Sequence, residues 1–139
     1  MKRFVLDASV ALAWFVDRPT APYADHVREL LLRGGRAIVP ALWQLEIANG
    51  FIIAERRGVL TPSDTLDALH NLEGVIVRAI ENSQDSVSMR RALNASRKFG
   101  LTAYDAVYLE TALGQDLPLA TLDRQLKAAA SKAGVEVLY

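Results

Sequence analysis

The chain has 139 residues, 51% hydrophobic and 23% charged, which predicts one domain over 1–139 and excludes a disordered chain. Sixteen Lys and Arg balance sixteen Asp and Glu, so no global basic field draws nucleic acid, and any such contact is local. With no cysteine, disulfides, thiolate metal sites and thiol nucleophiles are excluded, and an oxidising compartment gains no support.

Arg3-Phe4-Val5-Leu6-Asp7 reads as a strand buried on both faces. A helix follows from Ala8 to about Phe15, and Pro19 closes the connection. Tyr23 to Arg33 is helical, with Val27, Leu30 and Leu31 on one face, and Gly34-Gly35 ends it. Arg36 to Val39 is a second strand, stopped by Pro40. Leu42 to Arg57 is a long helix ended by Gly58. Trp43, Ile47, Phe51 and Ala54 form its apolar stripe, which Leu45, Ala48 and Ile52 widen.

Thr61-Pro62-Ser63-Asp64 opens a helix that runs to about Leu72. Val75-Ile76-Val77 is a short strand, and Ser83 to Phe99 is mostly helical up to Gly100. Thr102 to Leu113 is the next helix, Leu117 to Thr121 a strand, Arg124 to Ala133 a helix, and Val135 to Leu138 a last strand. This alternation predicts an α/β fold with a mostly parallel central sheet between helices. The start, Met1-Lys2-Arg3 before an apolar stretch, resembles a signal peptide, but Asp7 interrupts any h-region. The expected location is therefore the cytoplasm. No apolar run approaches the ~20 residues that span a bilayer.

Four acids stand where the chain is otherwise apolar: Asp7, Glu46, Asp105 and Asp123. A carboxylate beside a core is costly unless it is paired, hydrogen-bonded or bound to metal. Ligands of a parallel sheet gather at the carboxyl ends of its strands. Asp7 and Asp123 follow strands directly, Asp105 opens a helix, and Glu46 lies in the first half of the helix after Pro40. Each also has a local reading. Asp7 and Asp123 suit helix N-caps, and Thr102-x-x-Asp105 resembles a capping box. Glu46 suits a solvated position on the polar side of its helix, beside Asn49 and Gly50. The other twelve acids fall at helix ends, polar faces or turns. His26 and His70 have no second histidine at ligand spacing. Phosphate loops, nucleophile elbows and His-Glu-x-x-His motifs are absent.

Four strings resemble the motifs of PIN-domain ribonucleases, in the family's order: Val5-Leu6-Asp7-Ala8-Ser9, Pro40 to Asn49 around Glu46, Leu101 to Leu109 around Asp105, and Leu119 to Leu126 around Asp123. The length is similar to that of the VapC toxins of toxin–antitoxin pairs. The resemblance implies a three-layer PIN fold and Mg2+- or Mn2+-dependent endoribonuclease activity carried by Asp7, Glu46, Asp105 and Asp123. It also implies Ser9, Asn49 and Thr121 as polar neighbours of the metal site.

Clustered carboxylates repel, and a hard divalent cation with oxygen preference removes the conflict. Asp7 and Asp105 are the expected main ligands, with Asp123 binding directly or through water. Glu46 holds a second metal or positions the attacking water. One metal or two, about 4 Å apart, both suit four acids.

Other functions compete, a small-molecule enzyme among them, though no cofactor fingerprint supports that one; two have more definite form. One is a catalytically silent PIN domain acting as an RNA-binding or regulatory module. The other is a signalling receiver domain, which would need adjacent acids after the first strand and a late lysine, where this chain has Ala8-Ser9 and Asp123. The resemblance further implies an RNA substrate, a homodimer and a cognate VapB-like antitoxin, with no membrane. Trp14, Phe15 and the Trp43–Phe51 stripe are candidate contact surfaces, with core filling as the other reading, favoured for Trp43.

Overall fold

The computed structural model describes residues 2–139; Met1, the first residue of the leader-like start, lies outside them. Four parallel strands are formed: β1 (Arg3–Leu6), β2 (Arg36–Val39), β3 (Ile80–Asn82) and β4 (Leu119–Ala120), in the spatial order β3-β2-β1-β4. Between and after them come α1 (Ala8–Val16), α2 (Pro22–Leu32), α3 (Leu42–Arg56), α4 (Pro62–Ala79), α5 (Met89–Phe99), α6 (Ala103–Gln115) and α7 (Arg124–Ala133). Helices α1 to α4 pack on one another, as do α5 to α7, with α6 against β1 and β4. The result is the expected three-layer α/β architecture. Among the described residues no helix is long and apolar enough to cross a membrane.

Strand β1 is the hinge of the topology. The chain leaves it toward β2 on one side and returns to it as β4 on the other, through α5 and α6. In open parallel sheets, such a reversal of strand order opens a crevice at the carboxyl edge. Leu6 pairs with Ala120, and the Asp7 amide donates to the Ala120 carbonyl at 3.0 Å. The two segments that follow, Asp7-Ala8-Ser9 and Thr121-Leu122-Asp123, therefore leave the sheet side by side.

Phe4, Val5 and Leu6 are fully buried, as the unbroken apolar run requires. On α3 the buried stripe is Trp43, Ile47, Phe51 and Ala54 alone. Leu45 and Ile52 do not widen it; both are exposed, as is Ala48. Trp14, Phe15, Trp43 and Phe51 are all core residues, with Phe15 edge-on to Trp14 and Phe51. These aromatics are therefore not contact surfaces. Helix α3 comes close to α1 at Gly50, where a Cβ would meet the Leu12 methyls at 2.5 Å. That approach packs α3, which carries Glu46 one turn earlier, against α1.

Three elements differ from the sequence expectation. Val75-Ile76-Val77 is not a strand but the last turns of α4, and β3 begins at Ile80. Ala68, Leu72 and Ala79 are buried on one helical face, with Val75 and Ile76 half-buried beside it. Packing of that face outweighs the β preference of three branched residues. The helix is firmly started: the Thr61 hydroxyl accepts from the Asp64 amide, and the Asp64 carboxylate accepts from the Thr61 amide.

The second difference is Ser83 to Ser88, which is loop rather than helix; α5 begins at Met89 with Ser88 as its cap. The Ser83 hydroxyl accepts from the Asp85 amide, a side-chain turn that competes with helix. Arg91 then clamps the loop, bidentate to Asp85 at 2.8 and 3.0 Å and donating to Glu110 at 3.1 Å. The expected last strand shrinks to one bridge, Leu119 with Val137.

Candidate active site

Asp7 sits at the N-cap position of α1 with extended backbone, yet its carboxylate makes no capping bond. It is 5% exposed, and its Oδ2 accepts from the Ser9 hydroxyl and the Thr121 hydroxyl, both at 2.7 Å. The capping reading of Asp7 is thus replaced by a buried, hydroxyl-braced carboxylate. Burial pushes its pKa up, the two hydroxyls pull it down, and the charge of Asp123 pushes it up again.

The same two hydroxyls tie Asp7 to the β4 side. Ser9 Oγ accepts from the Leu122 amide at 3.1 Å, and Thr121 Oγ1 accepts from the Asp123 amide at 3.0 Å. Asp123 does cap α7, accepting from the Leu126 amide at 3.0 Å, so one carboxylate oxygen is committed to the helix.

Asp105 enters from α6. Gly100 closes α5 in the left-handed region (φ 68°), a conformation that glycine adopts without strain. That turn lets Thr102 cap α6, accepting from the Asp105 amide at 3.1 Å. The Asp105 carboxylate makes no return bond to the Thr102 amide, unlike Asp64 in α4. Its pKa is pushed up to about 6, first by burial, then by the charges of Asp123, Asp7 and Glu46.

Glu46 is half-buried rather than on an open polar side. Its Oε1 accepts from the Tyr108 hydroxyl at 2.6 Å. Burial raises its pKa, the Tyr108 bond lowers it, and the Asp7 charge raises it.

The four acids, from four separate elements, therefore feel one another's charge. No lysine or arginine neutralises them, since the salt bridges among the described residues join Arg33 to Glu29, Arg36 to Glu81, and Arg91 to Asp85 and Glu110. Among the described residues, no three acidic or histidine side chains stand close enough to hold one ion directly. An oxygen-seeking cation that keeps several waters needs only one or two direct carboxylates. The donor set, mutually repelling oxygens without a protein cation, fits such an ion.

Ser9 and Thr121, expected as polar neighbours of a metal site, both donate to Asp7 Oδ2. Asn49 does not join them: it is exposed and makes no side-chain hydrogen bond among the described residues. Tyr108 is the residue the sequence reading missed. Its signal was a phenol three residues after Asp105 in an otherwise apolar helix, because a buried hydroxyl needs a partner.

The raised pKa of Asp105 has a measurable sign. A carboxyl whose folded-state pKa exceeds its unfolded value favours folding when protonated. That stabilisation is full below its ordinary value of 3.8 and is lost as pH rises through about 6. Asp64 and Asp85 carry lowered pKa values, so their contributions fail only below the carboxylate range. In chelator, the melting temperature is expected to rise as pH falls from about 7 to about 5. Added Mg2+ should raise it more at the upper pH than at the lower. A flat or inverted profile by thermal denaturation would contradict the mutual repulsion.

The model of the PIN domain family matches residues 4–132. The fold is similar to that in the crystal structure of PAE2754 from Pyrobaculum aerophilum, with a TM-score of 0.67 and 22% identity, covering 92% of this chain and 84% of that one. No curated protein matches the chain.

Proposed function

Since the chain belongs to the PIN-domain family, whose members are generally nucleases, we propose that it is a Mg2+- or Mn2+-dependent endoribonuclease. The observation that carries this reading is the group of four mutually repelling carboxylates that no basic side chain among the described residues neutralises. Asp7 and Asp105 are the main ligands, and Asp123 contributes its oxygen not used in capping through water, since no three of the described acids stand close enough to hold one ion directly. When bound, the cation polarises the phosphodiester and makes water a competent nucleophile near neutral pH. Ser9 and Thr121 fix the Asp7 carboxylate through Oδ2. Glu46, whose Oε1 is engaged by Tyr108, would hold a second cation or orient the attacking water.

Within the family, the reading is a VapC-like toxin acting in the cytoplasm, working as a homodimer and neutralised by a VapB-like antitoxin. The aromatics first considered for contact are internal. Exposed apolar side chains, Leu45, Val77, Met89 and Tyr104 among them, remain available to such partners.

The test is cleavage of total RNA by purified protein with Mn2+, with and without chelator, beside growth of cells expressing the protein alone or with its neighbouring gene. Metal-dependent cuts and growth arrest relieved by the neighbour are expected. RNA left intact by folded, Mn2+-loaded protein would favour the silent binding module instead. Cutting without growth arrest would remove the toxin role only.

A further inference from the structure

Tyr108 is fully buried on α6, yet its hydroxyl reaches out of the core to an acid on another helix. The bond to Glu46 Oε1, at 2.6 Å, joins residues 62 positions apart. It is the only side-chain hydrogen bond that the Glu46 carboxylate makes among the described residues. A tyrosine hydroxyl next to a carboxylate donates. The bond therefore fills one lone pair of Oε1 and leaves Oε2 without a protein donor.

The location gives the bond its meaning. Asp105 stands three residues before Tyr108, about one turn of the same helix. One rigid helix thus supplies one acid of the cluster directly and grips a second acid through a phenol. Glu46 carries long-chain rotamer freedom that Asp7, Asp105 and Asp123 lack. Without a brace it would swing away from three neighbouring negative charges, two of which, Asp7 and Asp105, it feels directly.

We propose that Tyr108 is a positioning residue for the metal site, holding Glu46 beside the other three acids by a hydrogen bond from α6. The inference rests on the metal-nuclease reading above. Tyr108 touches neither substrate nor cation; it acts through the orientation of Glu46. An alternative in which Tyr108 only fills the core predicts that loss of its hydroxyl lowers stability and nothing else.

The variant Tyr108→Phe keeps the ring and removes the donor. Its Mn2+ affinity by calorimetry is expected to fall about tenfold or more, as for other groups that orient a metal ligand. RNA cleavage should lose kcat by a similar factor with KM little changed. In a Glu46→Gln background, Tyr108→Phe should cause no further loss of Mn2+ affinity, because the acid it positions is already gone. A folded Tyr108→Phe protein that binds Mn2+ and cuts RNA like the wild type overturns the assignment, as do losses that add to those of Glu46→Gln. A wild type that neither binds Mn2+ nor cuts RNA overturns the nuclease reading and this inference with it. If Tyr108→Phe does not fold, the 13C resonance of Tyr108 Cζ in the wild type decides. It should shift as Mg2+ saturates the protein, and a resonance indifferent to Mg2+ overturns the proposal.

Discussion

Replacing Asp7 by Asn should reduce RNA cleavage about a thousandfold or more, a loss typical of a group at the reacting centre, while the fold persists. The asparagine is nearly the same size. Its side-chain oxygen can still accept from Ser9 and Thr121, which now bond to Asp7 Oδ2. What disappears is one negative charge in a buried place. That charge is disfavoured by burial and by Asp123, and it raises the pKa of both Glu46 and Asp105. Without metal, the variant is therefore expected to melt at the same temperature as the wild type or higher. Strained, repulsive sites often trade stability for function in this way. Initial rates and thermal melts in chelator check both halves together. Full activity would remove Asp7 from the site, and an unfolded variant would remove the claim that its charge is a burden.

Thr121→Val should damage the site without touching any acid. Thr121 is fully buried, and its hydroxyl serves two acids at once. It donates to Asp7 Oδ2 at 2.7 Å and accepts from the Asp123 amide at 3.0 Å. Valine keeps the shape and deletes both bonds. Asp7 is then held by Ser9 alone, and the Asp123 amide loses its side-chain acceptor. Unpaired groups of this kind cost about 1–3 kcal/mol, which denaturation will read. Cleavage should fall about 10–100-fold, as for other groups that orient metal ligands. Thr121→Ser restores the hydroxyl and should recover most of the rate. A valine variant as active as the wild type would mean that Asp7 needs no brace from β4.

The sequence carried the parts of this site that depend on local order. Asp7 and Asp123 each follow a short apolar run that became a strand, so their place at the sheet's carboxyl edge could be read directly. β2 and α7 fall on the residues expected from their pattern, Arg36–Val39 and Arg124–Ala133. The Thr102 cap was equally legible, because capping is local chemistry.

What could not be read depends on distant contacts. Val75-Ile76-Val77 has strand composition, but its place in α4 is decided by a helix face packed on the core. The loop before α5 is held by Arg91 reaching Asp85 and, 19 residues away, Glu110. The Tyr108–Glu46 bond spans 62 residues, and no periodicity connects them. Asp7 shows the opposite limit. Local pattern gave it a cap it does not make, because two hydroxyls compete for the same carboxylate.

The central claim is that Asp7, Glu46, Asp105 and Asp123 form one cation site. Calorimetric titration of Mn2+ into the wild type and the four single variants, Asp7→Asn, Glu46→Gln, Asp105→Asn and Asp123→Asn, tests it directly. Saturable binding by the wild type is expected, weakened in each folded variant by about tenfold or more. Mn2+ binding that all four variants retain unchanged would show that these acids do not form a metal site.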